Sequence, residues 1–297
     1  MTGIGRSHGA VSVMNAIPCG IGSTIGIGLR TEARFEPAEE TSVALDGRPG
    51  MDDVLVRTCV SRALEAAGEL EGGYSLSVST EIPPSMGLKS SSSVCNAVIA
   101  SVLDYYKIDM GPLDAIRLGV ECAKACGVTI TGAFDDACGC GLGGLVVTDN
   151  TRNELLSRQE VPEYDVVICL PDRTIPKSKV PVDRYRALRE EYEAMVPRVQ
   201  TDYLGVLTAN GAFVEGIVGS MGVADKALGI GALAAGITGT GPATAVIADP
   251  GDGKRIADGL GLPVLITRTL RWTSFSTEEG RRGRCRSLRP RATRTGR

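Results

Sequence analysis

Histidine and tryptophan each occur once in the 297 residues, as His8 and Trp272. A single histidine has no serine or cysteine constellation around it, which excludes the usual triad hydrolases. Aromatic residues make up 4% of the chain while glycine reaches 38 residues, so small side chains do much of the packing and many turns need positive φ. The nine cysteines show no metal-like pairing. Cys138 and Cys140 are one residue apart and Cys122 and Cys126 a helical turn apart, with no second pair or histidine nearby. Zinc is therefore not expected, and free buried thiols are the default. No basic-then-apolar leader opens the chain, so a reducing, cytoplasmic setting is the expectation.

Two common nucleotide signatures are also missing. There is no G-x-x-x-x-G-K-[ST] loop, and no G-x-G-x-x-G follows a strand and opens a helix. One stretch, Ala227 to Ala248, carries no charge and has the length of a membrane span. Its interior, Gly236 to Pro242, would break a spanning helix. The stretch reads instead as a short buried helix, a loop and a strand.

Charge is unevenly placed. The formal net charge is −3, yet residues 281–297 hold eight arginines and no acid. The body is thus acidic and the tail basic. From about Leu270 all periodicity is lost, and 271–297 is expected to be a disordered or non-native tail. A nucleic-acid-binding role for such a tail is the weaker reading, because the body is acidic and lacks aromatic residues interleaved with basic ones.

What the chain does have is a ten-residue loop, Pro84 to Ser93, between a strand and a helix. Upstream, Tyr74, Leu76 and Val78 alternate with serines, the pattern of a half-buried strand. Downstream, Val94 to Tyr106 reads as a buried helix. Gly87 and the serines thus sit at a helix start, where unpaired N–H groups and the positive end of the dipole collect anions. Lys89 adds a positive charge. This is the make-up of a phosphate site. A serine run that merely caps the helix is the competing reading.

Two further segments weigh against that bland reading. Thr131-Gly-Ala-Phe-Asp135-Asp136-Ala137 carries an acidic pair among small and apolar neighbours, and Thr238-Gly-Thr-Gly241 precedes an apolar run. Alternation over Val11 to Ile17 and Ile27 to Phe35 predicts two strands joined by a glycine-rich turn. Helices are expected after Asp52 or Asp53 and over Pro112 to Ala125, with strands at Gly144, Asp165, Ala243 and Pro263. Charged helices are expected over about 182–195 and 200–217. Asn150 to Pro162 is the polar, turn-rich boundary, giving units 1–155 and 156–270, each α+β.

The three loops, with the N-terminal run Ser7-His8-Gly9-Ala10 to Ile17, resemble the GHMP kinase superfamily, nearest to its archaeal-type shikimate kinase branch. The resemblance runs from about residue 3 to about residue 268. It implies a two-domain fold, with a ribosomal-S5-like N-terminal domain and a ferredoxin-like C-terminal domain. It implies ATP and Mg2+ as cofactors and phosphorylation of shikimate to shikimate 3-phosphate, in chorismate and aromatic amino acid biosynthesis. Homoserine or a mevalonate-type alcohol is the alternative acceptor. Neither nucleic acid nor membrane is expected as a partner, and the oligomeric state is left open.

By that resemblance Pro84, Met86, Gly87, Leu88, Lys89, Ser90, Ser91, Ser92 and Ser93 hold the nucleotide phosphates. Lys89 stands where many members have a small residue. Ser91 is the Mg2+-side hydroxyl, and Glu121, the one acid between Arg117 and Thr131, is its expected carboxylate partner. Asp135 and Asp136 are the catalytic pair, with Asp135 at the base position; a helix cap is the competing reading of the pair. His8, Asn15, Thr238, Gly239, Thr240 and Gly241 are the expected substrate-facing residues, with a structural role the competing reading of His8 and the phosphates the alternative partner of the Thr238 loop. Arg6, Lys177, Lys179 and Arg268 are candidates for a cation that meets the substrate carboxylate.

Overall fold

The computed structural model describes residues 1–46, 53–69, 72–175, 179–219 and 221–271. Lys177 and the arginine-rich tail lie outside these residues.

A long hairpin, β1 (Gly3–Met14) and β2 (Ile21–Pro37), opens the chain. β1 pairs along one edge of β2. The other edge is shared, with β4 (Tyr74–Thr80) on residues 31–37 and β5 (Leu145–Asp149) on residues 21–25. β3 (Ser42–Leu45) joins β4 in parallel, and β6 (Glu154–Gln159) joins β5. The 17-residue β2 is thus the spine of a six-stranded sheet.

Helices α1 (Val54–Ala67), α2 (Ser90–Tyr106) and α3 (Pro112–Ala125) cover the β4 end of this sheet. They bury Val60, Leu64, Val98 and Val102 against Phe35, Leu76 and Val78. α4 (Phe134–Leu142) packs Phe134 and Cys138 with Ile116 of α3 and Val146 of β5. The small residues of α2 have a reason. The helix lies directly on the β1 backbone, and a Cβ on Gly5 would stand 2.0 Å from the Ala97 carbonyl oxygen.

The second sheet is antiparallel and four-stranded, in the order β10-β7-β9-β8. Its strands are β7 (Asp165–Cys169), β8 (Ala234–Ile237), β9 (Thr244–Ala248) and β10 (Val264–Arg268). Between β7 and β8 lie α5 (Val182–Arg186), α6 (Arg189–Met195), α7 (Tyr203–Val218) and α8 (Val223–Gly229), while α9 (Gly253–Leu260) joins β9 to β10. With α7 and α9 as crossovers this is a β-α-β-β-α-β succession, the order of a ferredoxin-like unit.

Several elements depart from the sequence expectation. The stretch 154–159 is an edge strand, none of whose residues is fully buried, so the link between the sheets is residues 160–164. The uncharged run contains strands on both sides of its loop, β8 and β9. The segment over 182–195 is two short helices. α2 starts at Ser90, so the serines form its first turn. The expected C-terminal unit does extend past β10, to Leu270. Leu270 donates to the Gly26 carbonyl at 2.8 Å and accepts from Gly144 N at 3.0 Å, stitching the end of the second sheet into the first. Among the described residues no helix is long and apolar enough to cross a membrane.

The β1–α2 contact is testable. Gly5→Ala should cost about 1–3 kcal/mol and lower Tm by several degrees, since backbone rather than a side-chain tip is in the way. Gly216→Ala in α7, where a Cβ meets nothing within 4 Å, should instead leave Tm unchanged or raise it. Thermal unfolding followed by circular dichroism checks both.

Candidate active site

The loop before α2 is shaped by residues in left-handed conformation, Ser85 (φ 56°), Gly87 (φ 77°) and Lys89 (φ 68°). Gly87 is required there, because a Cβ would stand 2.1 Å from the Thr238 carbonyl oxygen. Ser90, Ser91 and Ser92 then form the first turn of α2, which holds no acidic side chain. The helix dipole at this end is left uncompensated and ready for an anion.

Across the cleft, α4 begins after Ala133, itself in left-handed conformation (φ 52°) with no side-chain cap. Asp135 and Asp136 lie in the first turn rather than at the N-cap position, and the Asp135 carboxylate accepts from the Asp136 backbone N–H there. The polar partner of this helix start is Asn150, on the turn after β5. Its Oδ1 accepts from Asp135 N at 3.1 Å, and its Nδ2 donates to Asp135 Oδ1 at 2.7 Å. Thr148 Oγ1 holds Asn150 Oδ1 in turn, at 2.8 Å. Asp135 is seated against Gly22 of β2, where a Cβ would stand 2.5 Å from Asp135 Oδ2.

The two neighbouring carboxylates differ in surroundings. Burial, followed by the charge of Asp136, pushes Asp135 up to about 6, against the opposing effects of Lys89 and the Asn150 hydrogen bond. Asp136 instead meets Lys89, Oδ1 to Nζ at 2.9 Å, with 14% and 5% of the two side chains exposed. The thiols of Cys138 and Cys140 on the same helix are driven upward by burial first and then by these carboxylates, so they remain neutral packing groups.

A hydrogen-bond chain ties the third loop to the other two. Lys89 Nζ donates to Ser12 Oγ at 2.7 Å, and Ser12 Oγ also accepts from Gly239 N at 3.0 Å. Ser12 N donates to Thr238 Oγ1 at 2.9 Å, and Thr238 Oγ1 donates to the Gly87 carbonyl at 3.1 Å. Asn15 Nδ2 donates to the Gly239 carbonyl at 2.9 Å. β1, the serine loop and the Thr238 loop thus meet at one point.

The three loops enclose a cleft of about 340 Å³. Of the expected site residues, Asn15, Gly87, Leu88, Lys89, Ser90, Ser91, Ser92, Asp135, Asp136, Gly239, Thr240 and Gly241 line it. Thr238 holds the loops together from behind. Pro84 and Met86 are outside the lining, and the Ser93 hydroxyl is spent on Thr31 Oγ1 at 2.8 Å. His8 is also outside, on β1 opposite Arg30, where burial and then Arg30 lower its pKa. Glu121 is exposed on α3, away from the cleft lining.

Among the expected cations, Arg6 pairs with Glu32 at 2.9 Å and Arg268 with Glu163 at 2.7 Å. Lys179 is exposed and outside the lining. Lys89 is the one cation among the described lining residues.

Ser12, Asn150, Ile17, Ile175 and the strip 127–131 are parts of the site without an expected role, although Ser12, Ile17 and Thr131 lie in segments that carry the family resemblance. Ser12 alternates with the core residues Val11 and Val13, which reads as a solvent-facing position. The Thr238 loop covers that face and leaves Ser12 buried. Asn150 follows a strand in a polar turn and carries no local signal.

Chemically, the cleft offers a helix N-terminus with three serines for phosphate oxygens and a buried carboxylate poised to accept a proton. Among the described residues no group of three or more His, Cys, Asp or Glu side chains could hold a metal ion by itself. Neighbouring serine hydroxyls at a phosphate site do fit a hard cation such as Mg2+, which takes few protein ligands and completes its shell with water and phosphate oxygens.

Residues 54–144 match the family model of the GHMP kinases N terminal domain. A shikimate kinase of Methanothrix thermoacetophila is 38% identical over 260 residues, 87% of this chain and 89% of that protein. One from Methanococcoides burtonii is 39% identical, over 87% of this chain and 90% of its own length. One from Pyrococcus furiosus is 34% identical, over 84% and 92%. Among solved structures, Methanococcus jannaschii mevalonate kinase superposes with a TM-score of 0.72 at 15% identity, covering 90% of this chain and 98% of that one. A homoserine kinase from Cytophaga hutchinsonii gives 0.68 at 16% identity, over 92% and 96%. At these identities the two structures speak for the fold alone. The sequence relatives, matched along most of both chains, go further: the chain belongs to the GHMP kinases, in the family of the archaeal shikimate kinases.

Proposed function

We propose that this protein transfers the γ-phosphoryl group of ATP to a hydroxyl of shikimate, giving shikimate 3-phosphate and ADP. This is a step of chorismate and aromatic amino acid biosynthesis. The observation that carries the reading is the placement of Asp135 and the serine turn of α2 on one cleft, in a chain whose sequence relatives are shikimate kinases.

Phosphoryl transfer needs positioning, charge neutralisation and an oriented alcohol more than covalent chemistry by the protein. The α2 N-terminus and Ser90 to Ser92 hold the phosphates. Mg2+, held by Ser91 together with phosphate oxygens and water, would neutralise phosphate charge there. Glu121 does not join Ser91 as a ligand, because α3 presents it outside the cleft. The substrate hydroxyl gives its proton to Asp135 as its oxygen bonds to the γ-phosphorus. The bond from phosphorus to the bridging oxygen breaks, and ADP leaves. A carboxylate with pKa near 6 is ionised at neutral pH yet basic enough for this task. Asn15, Gly239, Thr240 and Gly241 surround the acceptor.

A coupled ADP-release assay with Mg2+-ATP and, in turn, shikimate, homoserine and mevalonate tests the reading. Turnover with shikimate alone is the expected result; turnover with homoserine and none with shikimate would sink the substrate assignment.

Asp135→Asn should lower kcat by about 10²–10⁴-fold with KM for ATP nearly unchanged. The proton acceptor must be ionised, so wild-type kcat/KM should fall as pH drops through about 6. A pH–rate profile without that acid limb, or an Asn variant within a few-fold of wild type, would remove Asp135 from the role.

Ser91→Ala should lower kcat/KM for Mg2+-ATP by about 10–100-fold, the loss of one hydrogen bond to a charged group. Rates measured across ATP and Mg2+ concentrations check it, and unchanged dependence on both would reject the contact.

A further inference from the structure

We propose that Lys89 is a positioning residue that divides the labour between the two carboxylates. It takes Asp136 into an ion pair, leaves Asp135 as the one proton acceptor, and through Ser12 closes the Gly239 loop onto the pair. The proposal rests on the reading of Asp135 as the base and adds what makes it so.

Adjacent carboxylates in a shared buried site hinder each other's ionisation, and neither is distinguished as the base by charge alone. Here one ammonium breaks the symmetry. Lys89 Nζ lies 2.9 Å from Asp136 Oδ1 and 2.7 Å from Ser12 Oγ, with only 5% of its side chain exposed. Asp135 has a neutral partner instead, Asn150 at 2.7 Å.

The surroundings are built around this ammonium. Gly239 leaves room for it, since a Cβ there would stand 2.8 Å from Lys89 Nζ. Ser12 Oγ accepts from Lys89 and from Gly239 N, so one hydroxyl joins the cation to the third loop. Lys89 also adopts a left-handed backbone, φ 68°, a conformation that is unfavourable for a residue with a side chain. A small residue, as many GHMP kinases have here, would keep the loop but lose the ion pair.

The titratable groups that face Asp135 are Asp136, Cys138 and Cys140 on its own helix and Lys89 at the start of α2. β2 presents Gly22 and Thr24, and the turn after β5 presents Asn150. Among the described residues Lys89 is therefore the one cation that offsets Asp136 at the base.

Three variants test the proposal: Lys89→Met, Asp136→Asn and the double Lys89→Met/Asp136→Asn. Two readouts are taken, the pH dependence of kcat/KM with shikimate and the titration midpoint of Asp135 by carboxyl NMR on aspartate-labelled, substrate-free enzyme. Lys89→Met should raise the Asp135 midpoint and the acid limb by about one pH unit or more and lower kcat at least about tenfold. The double variant removes the stranded carboxylate charge as well. It should return the midpoint to the wild-type value or below and recover activity relative to Lys89→Met. A midpoint in Lys89→Met within a few tenths of wild type, or a double variant no more active than the single one, would overturn the proposal. Should Lys89→Met fail to fold, Asp136→Asn and the double variant carry the question. The midpoint must be lower in Asp136→Asn, where the ammonium remains, and equal midpoints would overturn the proposal. The NMR midpoints need no substrate, so they separate a failure of the Lys89 role from a failure of the shikimate reading.

Discussion

An ammonium and a carboxylate almost out of water hold this cleft together. Removing both charges from solvent costs several kcal/mol per ion before their attraction is counted, so such a pair is poor evidence for stability. Its value here is geometric. Lys89 bonds to α4 through Asp136 and to β1 through Ser12, and Ser12 bonds to the Gly239 loop. Four segments far apart in the chain are thereby fixed by one side chain, and hydrogen bonds from Thr238 and Asn15 complete the same joint. The serine turn of α2 faces the acidic pair because this joint sets the distance between them.

The joint also explains an asymmetry that identical side chains do not suggest. Asp135 and Asp136 are consecutive, yet helix geometry sends them to different neighbours. One is packed under β2 against Gly22 with an amide for company, while the other meets a cation. Burial raises the first toward neutrality of physiological solutions. Difference in environment, with no difference in residue type, separates their chemistry.

Much of this was legible in the residues, and what was not has a common cause. The serine loop, the acidic pair and the Thr238 loop each carry local signals: a strand pattern followed by a helix pattern, carboxylates among small residues, and alternating glycines. The strands of the long hairpin followed from alternation. Ser12 and Asn150 were missed because their roles depend on tertiary cover. Ser12 has the alternation of a solvent-facing residue until a loop 226 positions later lies over it. Glu121 is the lone acid in its segment, but α3 turns it outward while the apolar face of the helix packs on α2 and α4. Strand β6 lacks a signal for the converse reason, since no residue of this edge strand is fully buried and its pattern does not alternate between core and water.

The stitch made by Leu270 bears on how the molecule comes into being. Between β2 and α4 the backbone groups of Gly26 and Gly144 await a partner that is the last described strand's extension. Ser12 likewise waits for Thr238, 226 positions downstream. At roughly 5–20 residues per second of synthesis, the hairpin at the front of the chain stands for about 10–45 s before the segment that buries its second face exists. On a ribosome the first sheet must therefore persist half-covered, with the serine loop lacking its contact to Thr238. The cleft is completed late, and a nascent chain held at residue 200 would contain both carboxylates, the lysine and the serines yet lack the Thr238 loop that closes the site.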